Sequence, residues 1–166
     1  MHARTTSAED DSWLINWRYM AAAIVMSEYY LATEEKWVLK ELEEVYAFLI
    51  SSQYINMDQI NEKVKETHPH AYPKDEIDSH GGWGHNPGFE GYGPISMLTA
   101  QGALAFALMH RCGIDVDPAR HQAAYNFLQR SAGTNGYIWY KDQPAGENDW
   151  ADMGRTGASA IAHQLS

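Results

Sequence analysis

Basic residues are scarce in this chain of 166 residues: 12 Lys and Arg stand against 22 Asp and Glu, giving a formal charge of −10. That balance opposes binding to nucleic acid or anionic lipid, both of which reward basic surfaces. It also opposes a dedicated diphosphate pocket. Cysteine is nearly absent: Cys112 alone rules out an internal disulfide and leaves the compartment open. No apolar run is long enough to cross a bilayer, so no membrane span is expected. The first residues, MHARTTSAEDDS, are polar and lack the apolar segment of a signal peptide. Catalytic signatures are missing too. The chain has no GxSxG, no phosphate-binding glycine loop and no Cys–His nucleophile pattern, and no motif implies a cofactor.

What is present is a core-forming composition and a repeat. Hydrophobic residues make up 45% of the chain, enough for one compact domain. The stretch EEVYAFLISSQ (Glu43 to Gln53) returns as QAAYNFLQRSA (Gln122 to Ala132), with Tyr46 and Phe48 recurring as Tyr125 and Phe127 at one offset. Each stretch is followed by a Gly-aromatic loop, GGW at 81–83 and NGYIWY at 135–140. A repeated unit cannot bury its apolar face alone, so repetition implies stacking.

The periodicity predicts a helix from about Asp11 or Ser12 to Leu31, with Trp13, Trp17, Met20 and Ile24 on one face. Thr33 is expected to cap a second helix whose buried stripe is Val38, Leu42, Val45 and Leu49, ending near Ser52. A short surface helix fits 54–66. From Thr67 to Pro94 prolines and glycines predict a long, aromatic, histidine-bearing loop. The apolar run Ala103 to Met109 predicts a helix over Ser96–Arg111 that is buried on all sides, ended by Gly113. Asp117 and Pro118 open the next helix, which turns Ala124 and Leu128 inward and closes at Gly133. A further small-residue helix is expected over Arg155–Leu165.

Each unit thus has a buried helix, a turn, an amphipathic helix and a Gly-aromatic loop. Small residues at Ala21 to Ala23, Gly102–Ala103 and Gly157–Ala158 would let the buried helices approach closely. The fold class expected is all-α: tandem helical hairpins forming an arc or partial α/α toroid. Its units run over about 12–94 and 95–150, with a partial third at 151–166. On YAFLISSQ with GGWGHNPG, and AYNFLQRSAG with NGYIWY, the chain resembles the α/α-toroid superfamily of terpenoid cyclases and protein prenyltransferase β subunits. The match is to the glutamine–tryptophan repeat of triterpene cyclases. Gln53 holds the glutamine place in the first unit and Ala132 stands there in the second. The resemblance implies a ring of about five to seven helix pairs. Two pairs and the start of a third suggest a fragment, an open arc or self-association of copies, with further repeats in a parent chain.

Three groups carry candidate chemistry. His68, His70, His80 and His85, with Asp75, Glu76 and Asp78 between them, are residue types that bind zinc, but their spacing matches no zinc pattern and a solvated loop is the expected role; no metal site is expected. The Asp, Cys and His zinc set of prenyltransferases has no counterpart around Cys112. The Asp-rich initiator that the cyclase resemblance would supply, DxDD, is absent; Asp149 and Asp152 come nearest, and the acidic run Glu9 to Asp11 follows. Both stand before buried helices, where carboxylates cap.

The third group is an aromatic rim. Trp83, His85, Asn86, Glu90 and Tyr92 precede one buried helix; Trp139, Tyr140, Trp150, Asp152 and Arg155 precede the next; Trp13, Trp17 and Arg18 open the first. Aromatic faces mixed with carboxylate, amide and guanidinium groups suit a neutral polar ligand such as a glycan. Trp83 and Trp139 hold the repeat's own positions and are expected to wedge between helices as well as edge the cleft. In a sugar-processing enzyme, Glu90 or Asp152 would be general acid or base, helped by His85 or Tyr92. His110 and His163, on buried helices, are expected to be hydrogen-bonded core residues. The alternatives are an isoprenoid-acting enzyme of the cyclase or prenyltransferase type and a protein-binding helical-repeat scaffold.

Overall fold

A computed structural model of the chain describes residues 14–60, 62–67, 73, 77–91, 93–133, 138–141 and 153–165. The described elements are α1 (Ile15–Thr33), α2 (Trp37–Ser52), a 3-10 turn (Met57–Gln59), α3 (Glu62–Thr67), α4 (Ser96–Arg111), α5 (Pro118–Arg130) and α6 (Met153–Leu165). The protein is all-α: among the described residues the only β contacts are isolated bridges, Ile60 with Phe89 and Ala132 with Ile138. No described helix is long and apolar enough to cross a membrane.

Sequence chemistry explains the helix limits. On α2, Val38, Leu42, Val45 and Leu49 step by four, three and four and are all buried. On α5, the Asp117 side chain accepts from the Ala119 N–H at 2.8 Å, and Pro118 occupies the first turn, where a missing N–H costs nothing. Gly113, with φ at +92°, turns the chain just past α4. Thr33 does not cap α2. It is the last residue of α1, where its hydroxyl donates to the Tyr29 carbonyl, and Glu34 in the left-handed region ends that helix.

The apolar run of α4 makes it the centre of the molecule. It packs against α1, α2, α5 and α6, and buried residues occur all round it, from Leu98 and Ala100 to Phe106 and Met109. Its neighbours α1 and α6 lie against it, α2 pairs with α1 and α5 with α4. Where Trp83 packs between α4 and the end of α2, the fit depends on glycine. A Cβ on Gly102 would stand 2.7 Å from the six-membered ring of Trp83, which fills that space.

The face of α1 differs from the one read from periodicity. Its buried line is Asn16, Tyr19, Met20, Ala23 and Ser27, while Trp17 and Ile24 are only partly covered. Helix α1 meets both α2 and α4, and its buried line mixes the large Tyr19 and Met20 with the small or hydrogen-bonding Asn16, Ala23 and Ser27. Trp13 lies outside the described residues.

The loop between α3 and α4 is fastened to the end of α2. The Tyr54 N–H donates to the Gly82 carbonyl and the Gly81 N–H donates to the Tyr54 carbonyl, at 2.9 and 2.7 Å. The buried Gln53 amide donates from Nε2 to the carbonyls of Gly81 and Arg120, joining the end of α2 to the loop and to α5. Gly81 is required there: its φ is +89°, and a Cβ would lie 2.1 Å from the Ala123 carbonyl oxygen. Tyr54 and Phe89 form a second small core, edge to face at 5.1 Å.

Candidate functional site

The first residues of a helix carry N–H groups without intrahelical partners. In both hairpins the Gly-aromatic loop supplies those partners. At α1, the Asn16 N–H donates to the His85 carbonyl at 3.1 Å, and the Asn16 side-chain amide donates to the carbonyls of Gly84 and Asn86, each at 2.9 Å. At α4, the Ser96 N–H donates to the Tyr140 carbonyl at 2.8 Å, and the Ser96 hydroxyl donates to the Trp139 carbonyl. The pattern equates Asn16 with Ser96, Gly84 with Trp139, and His85 with Tyr140. Ile138, not Trp139, therefore matches Trp83. The two tryptophans recur in the sequence but stand one residue out of register in space.

Residues 83–86 also reach α4. The Trp83 carbonyl accepts from Ile95, and the Trp83 N–H donates to the Thr99 hydroxyl. The N-termini of α1 and α4 consequently lie at one end of the molecule, bridged by this loop, with residues 139 and 140 beside them. Trp83 is fully buried, and its indole N–H donates to the Leu49 carbonyl at 2.9 Å. Its whole surface is spent on the core. Trp139 is 6% exposed, and its indole nitrogen is buried with no hydrogen-bond partner among the described residues. Asn86 caps: its Oδ1 accepts from the N–H groups of Leu14 and Ile15 at 3.1 and 3.3 Å.

Among the described residues at this end, Trp17, His85, Asn86 and Tyr140 are partly open and Glu90 is exposed. The Trp17 indole N–H donates to His85 Nδ1 at 2.8 Å, and the two rings lie side by side and nearly coplanar, with centroids 6.0 Å apart and 20° between planes. An indole can only donate, so Nδ1 is the acceptor and the neutral imidazole carries its proton on Nε2. Burial pushes the His85 pKa down, against an upward pull from the Glu90 carboxylate. Nδ1, accepting from the indole, has no lone pair left to act as a base.

Several residues singled out in the sequence, Tyr92, Trp150, Asp149 and Asp152, together with His68, His70, Asp75, Glu76 and the acidic run at 9–11, lie outside the described residues, as does the side chain of Arg155. Of the histidine loop, the described members are His80, half-buried beside Arg130, and His85. Among the described residues no three His, Cys, Asp or Glu side chains converge as metal ligands. His110 and His163 are exposed rather than core residues, because each lies near the C-terminal end of its helix, beyond the packed middle. The Trp17–His85 pair escaped the sequence reading as a pair. Its only signal was a tryptophan in the first turn of one buried helix and a histidine in the loop before the next.

The chain belongs to the family described as Domain of unknown function (DUF6288), whose family model matches residues 1–166. No curated protein and no solved structure matches the chain.

Proposed function

We propose that this domain is a ligand-binding α/α-hairpin repeat of the toroid type, and that it holds a neutral, hydroxyl-rich ligand such as a glycan at the end where its Gly-aromatic loops gather. The single observation that carries this reading is the nearly coplanar Trp17–His85 pair, joined by its indole-to-imidazole hydrogen bond, beside the exposed Glu90. A flat aromatic face suits the apolar side of a sugar ring, while an imidazole N–H and a carboxylate suit its hydroxyls. Binding is favoured over catalysis because the His85 Nδ1 lone pair is already engaged. The tandem hairpin arrangement is supported by the common docking of residues 83–86 and 138–141 on the first turns of α1 and α4.

The test is a thermal-shift panel of soluble glycans and isoprenyl diphosphates, followed by NMR on any hit. A ligand that binds only the folded chain raises its midpoint temperature. The reading expects a glycan to do so and to move the Trp17 indole and His85 imidazole signals, with Glu90→Gln weakening the effect. Stabilisation by isoprenyl diphosphates alone would transfer the domain to the isoprenoid-acting class. Stabilisation by a glycan with silent Trp17 and His85 signals would remove this site.

A further inference from the structure

At the opposite end of α4 lies a cleft of about 430 Å³, formed by the C-terminal turns of α4 and α6 and the side of α5. His110 and Arg111 line it from α4, His121, Gln122 and Tyr125 from α5, and His163 from α6. In a chain with a net charge of −10, none of the described residues that line this cleft is Asp or Glu. We propose that it is a binding site for a small oxyanion, a phosphate or carboxylate group recognised by imidazole, guanidinium and amide donors.

The repeat supplies an internal control. His121 and Gln122 stand where the first hairpin has Leu42 and Glu43, by the offset that relates Tyr125 to Tyr46. By the match of Asn16 with Ser96, His110 and Arg111 stand where the first hairpin has Tyr30 and Leu31. Three of these exchanges add a donor, add positive charge or remove negative charge, and His110 puts an imidazole where the first hairpin has a phenol. They coincide with a change in space. Beside Tyr46, the chain after α4 closes the surface: the Tyr46 hydroxyl accepts from the Asp117 N–H at 2.7 Å, and Ile114 and Val116 are buried. Beside Tyr125, the hydroxyl donates to the Ala162 carbonyl at 2.9 Å and the cleft stays open.

The donors are held in place. Rings step from Phe106 to His121 at 5.9 Å, from His121 to Tyr125 at 4.9 Å and from Tyr125 to His163 at 4.7 Å. His121 Nε2 lies 3.1 Å from the Ala103 carbonyl, which can only accept, so Nε2 carries a proton and Nδ1 is the nitrogen left for a ligand. Burial lowers the His121 pKa, the Ala103 carbonyl raises it, and the neighbouring His110 lowers it. A bound anion opposes the two lowering influences, so binding draws a proton onto the ring and tightens as pH falls. The titratable and charged groups facing His121 across the cleft are His110 and Arg111 of α4, Tyr125 of α5 and His163 of α6. The nearest carboxylate on α5, Asp117, is turned to the Ala119 N–H as a helix cap.

The experiment titrates the full chain with inorganic phosphate, and separately with succinate, at constant ionic strength and at two pH values either side of the histidine range, following imidazole signals by NMR. Saturable shifts at His121 and His163, absent at His85, support the site, and so does tighter binding at the lower pH. Phosphate alone, or succinate alone, would name the class of oxyanion. His121→Leu, which restores the first hairpin's residue, is expected to weaken binding about tenfold or more, as is Arg111→Gln, whose exposed side chain leaves the fold intact. Shifts that never saturate, that are shared equally by His85, or that survive Arg111→Gln at full strength would overturn the proposal.

Discussion

Gly102 offers a sharp test of how the aromatic loop is locked into the helices. Alanine is favoured over glycine inside a helix by about 0.8–1 kcal/mol, so Gly102→Ala should stabilise α4 if the space beside it were open. It is not open: the new methyl group would stand 2.7 Å from two carbons of Trp83, closer than real side chains approach. Trp83 cannot swing away cheaply, because it is fully buried and its indole N–H is bonded to the Leu49 carbonyl. Overpacking of this kind costs about 1–3 kcal/mol, which exceeds or cancels the helix gain. Gly157 on α6 is the control. It is exposed, nothing lies within 4 Å of its Cβ position, and Gly157→Ala should show the full helix benefit. For a chain of this size 1 kcal/mol moves the melting midpoint by about 2–4 °C. Calorimetry on both variants should therefore find Gly157→Ala raised and Gly102→Ala unchanged or lowered. A rise of equal size in both would refute the wedge of Trp83 against α4.

Other outcomes follow from the same geometry. Asn16→Ala removes two hydrogen bonds and strands the carbonyls of Gly84 and Asn86, so chemical denaturation should show a loss of about 2 kcal/mol or more. His80, His85 and His121 all have pKa values pushed below the ordinary 6.5, first by burial. The unfolded chain then binds more protons than the folded one as pH falls through that value, so the melting midpoint should drop between about pH 7.5 and 5.5. A midpoint that is flat or rising over that range would contradict the burial of these rings. Tyr54, pushed up to about 12 by burial and by Asp78, should keep its proton well past the ordinary tyrosine value of about 10, and ultraviolet titration would show it as a late step.

The sequence was most legible where burial and periodicity agree. Helix α4 has the limits its apolar run predicts, and the α2 stripe is buried at each of its four positions. It was least legible where hydrogen bonding replaces hydrophobicity. The line of α1 that matters contains Asn16 and Ser27, which no apolar pattern marks. Thr33 has the chemistry of a cap, yet its hydroxyl turns back to its own helix. The tryptophans of the two loops invite pairing with each other, but the loops dock through backbone carbonyls, and carbonyl register is invisible in side-chain identity. The Trp17–His85 contact joins residues far apart in sequence, and nothing short of the fold brings them together. The oxyanion cleft was hidden for another reason: its histidines sit on helices whose middles are buried, and only the observation that the helix ends run past the packing exposes them.

The central claim is that both Gly-aromatic loops seat on the first turns of neighbouring helices in the same way. First-turn amides of a helix ordinarily exchange fast, because they have no partner within the helix. Hydrogen exchange of the Asn16 and Ser96 amides tests the claim directly, since these two donate to the carbonyls of His85 and Tyr140. Protection at both, approaching that of amides in the middle of α4, is the predicted result. Exchange of both at the rate of frayed helix ends would contradict it.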